Sequence, residues 1–175
     1  MAVINLHTRR LPVSEAEAAA LLDTLSSDDD RLWPRQDWPP MRFDRPLSIG
    51  AVGGHGLIRE TVEQYQPGRW IRFRCTAPAG FDGFHELAIH TDSDGTVVLT
   101  HLIAMRLRGS ARLLWPLVVR WLHDACLEDI LDQAERELTG TVRRPARWSP
   151  YVRLLRAVLQ RNSDPTPRQP EPRPV

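Results

Sequence analysis

The chain has 175 residues, a net charge of +1, 42% hydrophobic and 26% charged residues. That size and mix suit one globular domain with a real core, and near-neutrality leaves no global case for nucleic acid or a strongly acidic partner. Two cysteines, Cys75 and Cys126, are too few for a disulfide framework or a metal knuckle, and all 23 basic residues are arginine, a bias of the kind GC-rich coding produces.

The N-terminus shows no apolar signal-peptide core. The longest apolar run, Leu113 to Val119, spans seven residues and contains Pro116, against the roughly 20 needed to cross a bilayer. A cytoplasmic protein is expected.

Val3 to Leu11 alternates as a first strand, with Ile4 and Leu6 sharing a face. Ser14 and Glu17 stand three apart as a capping box. Leu21, Leu22 and Leu25 give the following helix one apolar face, and Ser26-Ser27 ends it. Between Ser27 and Asp44, Trp33-Pro34 and Trp38-Pro39-Pro40 break any helix and read as an ordered loop. Its two aromatic anchors either plug one end of the core or stand at the mouth of a cavity.

From Leu47 to Leu107 the period is two. Gly53-Gly54, Pro67-Gly68, the loop Pro78 to Gly83 and Asp94-Gly95 cut it into strands near 47–53, 56–66, 69–77, 84–91 and 96–107. Links this short make an antiparallel meander. With the first strand the sheet has six strands, or seven if Leu47 to Gly56 is bent into two.

Ser110 to about Leu138 is then one long helix, roughly 40 Å at about 1.5 Å per residue. Gly140 is placed to end it, and Pro116 lies in its first turns or kinks it. Trp115, Val119, Leu122, Cys126, Ile130, Ala134 and Leu138 form a stripe for the sheet. Asp124, Glu128, Asp132 and Glu135 fall opposite, on an expected water side. Leu114, Val118, Trp121 and Ala125 need another cover, which Ser149-Pro150 opens as a final helix with Val152, Leu155, Val158 and Leu159 inward. The expected organisation is a domain over 1–140, a basic amphipathic extension over 141–162 and a disordered Pro-rich tail over 163–175.

This order of elements is that of a helix-grip α+β fold, a curved antiparallel sheet of six or seven strands around a long C-terminal helix. Tyr65-Gln66-Pro67-Gly68-Arg69-Trp70-Ile71-Arg72-Phe73, Phe84-His85-Glu86-Leu87, Thr100-His101 and the run from Ala111 to Leu117 resemble the SRPBCC, START-like superfamily, in particular its polyketide cyclase/dehydrase-like bacterial members. The resemblance implies a cavity between sheet and helix and hands over no catalytic residue.

Alternation turns Ile71, Phe73 and Cys75 inward, with His85, Leu87 and Ile89 on the next strand and Leu99, His101, Ile103 and Met105 on the last. A three-residue loop with Gly95 at a bulge sets His85 opposite His101 or one diagonal away. The expected ligand contacts are therefore Phe73, His85, Leu87, His101, Ile103, Met105, Leu122 and Cys126. His85 and His101 are the catalytic candidates, as acid or base, or else a hydrogen-bonded core pair. No HxxxH or HxH spacing exists, so no metal site and no cofactor is expected. Both cysteines sit on apolar faces and read as inert.

Three functions fit. One is a carrier or sensor for a small hydrophobic molecule such as a lipid or polyketide; another is a cyclase/dehydratase-like enzyme; the last is a protein-interaction module with a filled core. The cluster Arg143, Arg144, Arg147, Arg153 and Arg156 adds a weak contact with an anionic membrane as a further expectation. Oligomeric state is not legible.

Overall fold

The computed structural model describes residues 1–163. The element order is β1 (Ala2–Leu11), α1 (Glu15–Leu22), β2 (Arg42–Phe43), β3 (Val52–Gly54), β4 (Arg59–Gln66), β5 (Trp70–Ala77), β6 (Phe81–Thr91) and β7 (Val97–Leu107). There follow α2 (Ala111–Leu114), a π-helical turn (Trp115–Val119), α3 (Arg120–Thr139) and α4 (Pro150–Ser163). The expected tail lies, from residue 164 on, outside the described residues.

All seven strands form one antiparallel sheet in the order β1-β7-β6-β5-β4-β3-β2. The seventh strand does not come from dividing Leu47 to Gly56. It is Arg42–Phe43, inside the Trp-Pro segment read as loop, and it pairs with Gly53 and Gly54. A Cβ on Gly53 would sit 2.1 Å from the Arg42 carbonyl oxygen, so glycine is what lets β2 lie so close. Phase changes twice along β4, at Arg59/Glu60 and Val62/Gln64, where bulges interrupt its register with β5.

Local signals explain the joins. Ser14 and Glu17 form both bonds of the capping box on α1. The β6–β7 turn closes through Asp92 N–H to Thr96 O and Gly95 N–H to Asp92 O, with Gly95 at φ +80. Gly140 ends α3 in the left-handed conformation, at φ 76.

Pro116 lies in the first turns of the long helix, at the start of its π-helical turn. The helix widens around it, the Arg120 amide bonding back to Trp115 O, and the Trp121 indole takes up the Pro116 carbonyl at 3.0 Å.

The apolar side of the helix meets the sheet as its spacing requires: Trp115, Cys126, Ile130 and Ala134 are buried, joined by Leu127 and Leu131. Two apolar clusters result. The larger gathers Leu21, Leu25, Leu32, Trp33, Phe73, Leu87, Ile130 and Leu131. The smaller gathers Phe81, Ile103, Met105, Leu107, Ala111 and Trp115.

Trp33 is in the first cluster and donates to Pro39 O. Trp38 packs against that cluster and donates to Asp129. Both tryptophans act as plugs. On α4, Val152 is buried and Tyr151 meets Trp121 edge-on at 5.6 Å, but Val158 and Leu159 are exposed, contrary to their expected inward place.

The acidic side of α3 is not a water side. Asp132 is 6% and Glu135 2% exposed, because the odd-numbered residues of β1 reach across to this face. Arg9 donates to Glu135 at 2.6 Å and to Asp132 at 2.8 Å, while His7 lies between Asp124 and Glu128. Ile4 and Leu6, on the other face of β1, are exposed at 79% and 60%. Replacing Arg9 with Met takes the guanidinium from two buried carboxylates, leaving Glu135 to Arg143 and Asp132 to the Ala146 amide, and breaking such a buried pair costs about 3 kcal/mol. Urea unfolding of Arg9→Met should show that loss, and unchanged stability would refute the clamp.

Candidate functional site

Every expected ligand contact points inward. Phe73, Leu87, Ile103, Met105 and Cys126 are buried and Leu122 is half-buried. They do not line one gap, however: Phe73, Leu87 and Cys126 belong to the larger cluster, Ile103 and Met105 to the smaller.

Polar side chains run between the two clusters. His85 stands opposite Ile103 and His101 opposite Leu87, so the two histidines are diagonal neighbours. Nδ1 of His85 and Nε2 of His101 are 3.2 Å apart. The ring series continues in both directions: Phe73 stacks on His85 at 5.0 Å, and His101 adjoins His123 at 5.2 Å, which adjoins Trp115 at 5.8 Å.

Glu60 anchors this series and was missed by sequence reasoning. It sits on β4, is 0% exposed, and places Oε2 2.5 Å from His85 Nε2, while its Oε1 is buried with no partner. The available signal was its period-two relation to Val62 on the inner face. An acid beside Arg59 and Thr61 reads more readily as solvated, and the flanking bulges obscure the phase.

Burial pushes the Glu60 carboxyl up, but the adjoining His85 outweighs it and holds it below the usual glutamate range. Burial, then the neighbouring imidazoles, hold His101 well below the ordinary histidine value. His55, against Trp33 at 4.8 Å, is taken down to about 4 by burial. Burial also pushes Cys75 up to about 12 and raises Cys126, so neither is a thiolate near neutral pH. Chemically the group joins an ionised acceptor, an imidazole oriented by it and a second imidazole, the parts of a proton-transfer site.

At its outer end the series reaches the β1–α3 seam. His7 Nε2 is 3.2 Å and His123 Nδ1 3.5 Å from the same Asp124 oxygen. Donor atoms of His7, His123 and Asp124 all lie within 4.8 Å of one another. Spacing along the sequence could not bring His7 to His123; the pairing of β1 onto β7 does. The expectation of no metal site rested on HxxxH and HxH spacing, which does not register residues that the fold brings together.

Two open spaces lie away from the expected ligand contacts. The void lined by Leu11, Leu21, Leu32, Ile89, Leu99 and Leu138 is about 10 Å³, room for one water and not for a ligand. An open depression of about 480 Å³ lies elsewhere, at Arg10, Pro12, Thr96 and Arg143. Its charges are already neutralised, Arg10 by Asp92 and Asp94 and Arg143 by Glu135, so the polar series remains the candidate site. Trp33 and Phe73 belong to the larger apolar cluster, Phe43 packs against it, and Trp115 belongs to the smaller.

No protein-family model matches the chain, and no curated protein does. Solved structures do. A Thermobifida fusca protein solved by NMR is 13% identical, with a TM-score of 0.58 over 82% of this chain and 99% of its own. A Nitrosospira multiformis protein is 10% identical, at 0.60 over 79% and 97%. Truncated norcoclaurine synthase from Thalictrum flavum is 8% identical, at 0.60 over 79% and 94%. The fold is a helix grip. At these identities the likeness is one of fold, and the helix-grip core here is the β1–β7 sheet closed on α3. Among the described residues no helix is long and apolar enough to cross a membrane.

The depressed histidines fix the sign of the helix grip's pH dependence. Below pH 6.5 the unfolded chain takes up protons that folded His55 and His101 refuse, so stability falls as pH falls. His7 works the other way. Hydrogen bonds to Asp124 and then Glu128 raise it to about 9, so its contribution is complete below pH 6.5 and lost as pH rises through 9. Thermal unfolding from pH 4 to 10 should show a maximum near 6.5, and a flat acid limb would contradict the buried, neutral imidazoles.

Proposed function

We propose that this helix-grip domain binds a small, largely apolar molecule between its sheet and α3, as a carrier or sensor, and holds the molecule's polar group on Glu60. One observation carries the reading: Glu60 is fully buried, one carboxylate oxygen sits on His85, and the other has no protein partner. A buried charged acceptor left half-satisfied costs free energy that a ligand's hydroxyl or ammonium donor recovers. Because an ionised carboxylate only accepts, the ligand must donate. Phe73, Leu87 and Cys126 of the larger cluster and Ile103 and Met105 of the smaller supply apolar surface on either side, with Leu122 half-buried beside them and His101 as a second polar group.

With so small a void at the α1 end, this reading requires the protein to open as the ligand enters. The side that yields is the end where Phe81, Met105 and His85 keep 7–9% of their surface accessible, beside the π-helical turn. A lipid or polyketide-like molecule with a hydroxyl suits these terms. Membrane delivery through the C-terminal arginines is a weaker element, since Arg143 is held by Glu135 and Arg156 lies over Trp38 and Trp148; Arg144, Arg147 and Arg153 are exposed.

The second reading is an enzyme, favoured by the 2.5 Å Glu60–His85 contact, in which the carboxylate orients His85 as a general base. A Thalictrum flavum norcoclaurine synthase point mutant, at a TM-score of 0.57, was solved with a transition-state analogue, so this fold houses chemistry in that protein.

Native mass spectrometry of protein purified from its own host tests the first reading. A co-purifying small molecule is expected, released on denaturation. Glu60→Gln should weaken rebinding of that molecule at least about tenfold, the share of one charge-assisted hydrogen bond. No bound mass, together with no saturable uptake of a fluorescent fatty-acid probe, would leave only a protein-interaction module. His85→Gln separates the two readings: binding retained with turnover lost marks the enzyme, whereas a carrier shows no turnover to lose.

A further inference from the structure

We infer that the seam between β1 and α3 is a binding site for a divalent transition-metal cation of the zinc class, ligated by His7 Nε2, His123 Nδ1 and Asp124 Oδ1. The site is distinct from the ligand-binding role of Glu60 and does not depend on it.

The distances have the right scale. Nitrogen and oxygen ligands at about 2.0–2.1 Å on tetrahedral zinc are separated from one another by roughly 3.3 Å. His7 Nε2 and His123 Nδ1 are 3.2 and 3.5 Å from Asp124 Oδ1, and all the donor atoms lie within 4.8 Å of each other. Two imidazoles and a carboxylate form a donor set typical of zinc. The three side chains keep 13%, 18% and 31% of their surface, so the position is sheltered yet reachable from outside.

The surroundings fit a cation at His7 and leave one nitrogen of His123 without a partner. A ligating histidine needs a partner for its other ring nitrogen. For His7 this is Glu128, whose Oε1 is 2.8 Å from Nδ1. For His123, ligation through Nδ1 leaves the hydrogen on Nε2, which is buried with no partner, beside His101, whose Nδ1 is likewise buried and unpartnered.

Asn5 holds the carboxylate in place: its amide nitrogen donates to the same Asp124 oxygen at 3.1 Å, while its Oδ1 is buried with no partner. Asp124 Oδ2 lies 3.5 Å from Arg120 Nε, an exposed i,i+4 partner that does not cover the cation position. Asp124 and Glu128 together supply the negative charge that an imidazolium at His7 balances when no metal is bound.

The polarity of the seam explains why these residues stand here. β1 sends Asn5, His7 and Arg9 towards α3; two carboxylates converge on His7, and three on Arg9, with Glu128 shared between them. Arg9 carries a permanent charge and closes its position. His7 does not, and its proton can be exchanged for a metal ion.

The experiment uses the full chain, stripped with EDTA and returned to metal-free buffer at pH 7.5. Calorimetric titration with Zn²⁺ should give one saturable site per chain, and Co²⁺ should produce the visible absorption bands of a low-coordinate nitrogen–oxygen site. His7→Gln and Asp124→Asn should each weaken Zn²⁺ at least about tenfold, and Glu128→Gln, which alters the partner of His7 and a 3.4 Å contact with Arg9 but no ligand, by about ten- to a hundredfold. Absence of saturable binding, or binding that survives both His7→Gln and Asp124→Asn unchanged, overturns the assignment. Should either variant fail to fold, ¹⁵N imidazole spectra of the unaltered chain decide: Zn²⁺ must shift His7 Nε2 and His123 Nδ1, and silence at both positions overturns the site.

Discussion

Arg9 between Asp132 and Glu135 is the contact on which the rest of the molecule depends. An apolar stripe alone would let a helix rotate and slide over a curved sheet, because burial is non-directional. Two short hydrogen bonds from one guanidinium to carboxylates on successive turns set both the rotation and the height of α3. Once α3 is so placed, His123 falls beside His101, and Cys126, Ile130 and Ala134 meet the concave face. Arg143 and the backbone amide of Ala146 bind the same two acids, so the chain after α3 is fastened to the same seam.

The interior is therefore organised by charge as well as by oil. Glu60 lies at the inner end of a line of rings and Asp124 with Glu128 at the outer end, with His85, His101, His123 and His7 between. Phe73 and Trp115 cover that line from the two apolar clusters. A purely structural core would be as stable or more so with well-packed apolar residues at these positions. What the polar line adds is a set of groups able to accept, donate or exchange protons inside a water-poor space.

The strands, turns and inward histidines were legible because they follow from local rules: period-two alternation, Gly95 in a three-residue loop, and the Ser14–Glu17 box. The diagonal pairing of His85 and His101 followed from the loop length. The acidic side of α3 was not legible. Carboxylates opposite an apolar stripe are normally solvated, and only the tertiary placement of β1 brings cations to them. Ile4 and Leu6 made matters worse, since the more apolar face of β1 is the one turned to solvent. Glu60 was hidden by bulges on both sides, and β2 by its two-residue length. The packing of Trp33 and Trp38 on the larger cluster depends on the tryptophan-rich loop folding inward, which no local pattern encodes.

The widened turn at Trp115–Val119 has a further meaning. A π turn holds one residue more than the α-helical turn it replaces, so the segments before and after it are offset by about 100° relative to a continuous α-helix. That offset lets Ala111 and Trp115 close the smaller cluster while Cys126 and Ile130 close the larger one. Shortening the turn by one residue would restore regular winding and swing Trp115 away from His123, uncoupling the lid of one cluster from the lid of the other. The irregularity is thus the joint by which a single rod serves two differently oriented surfaces.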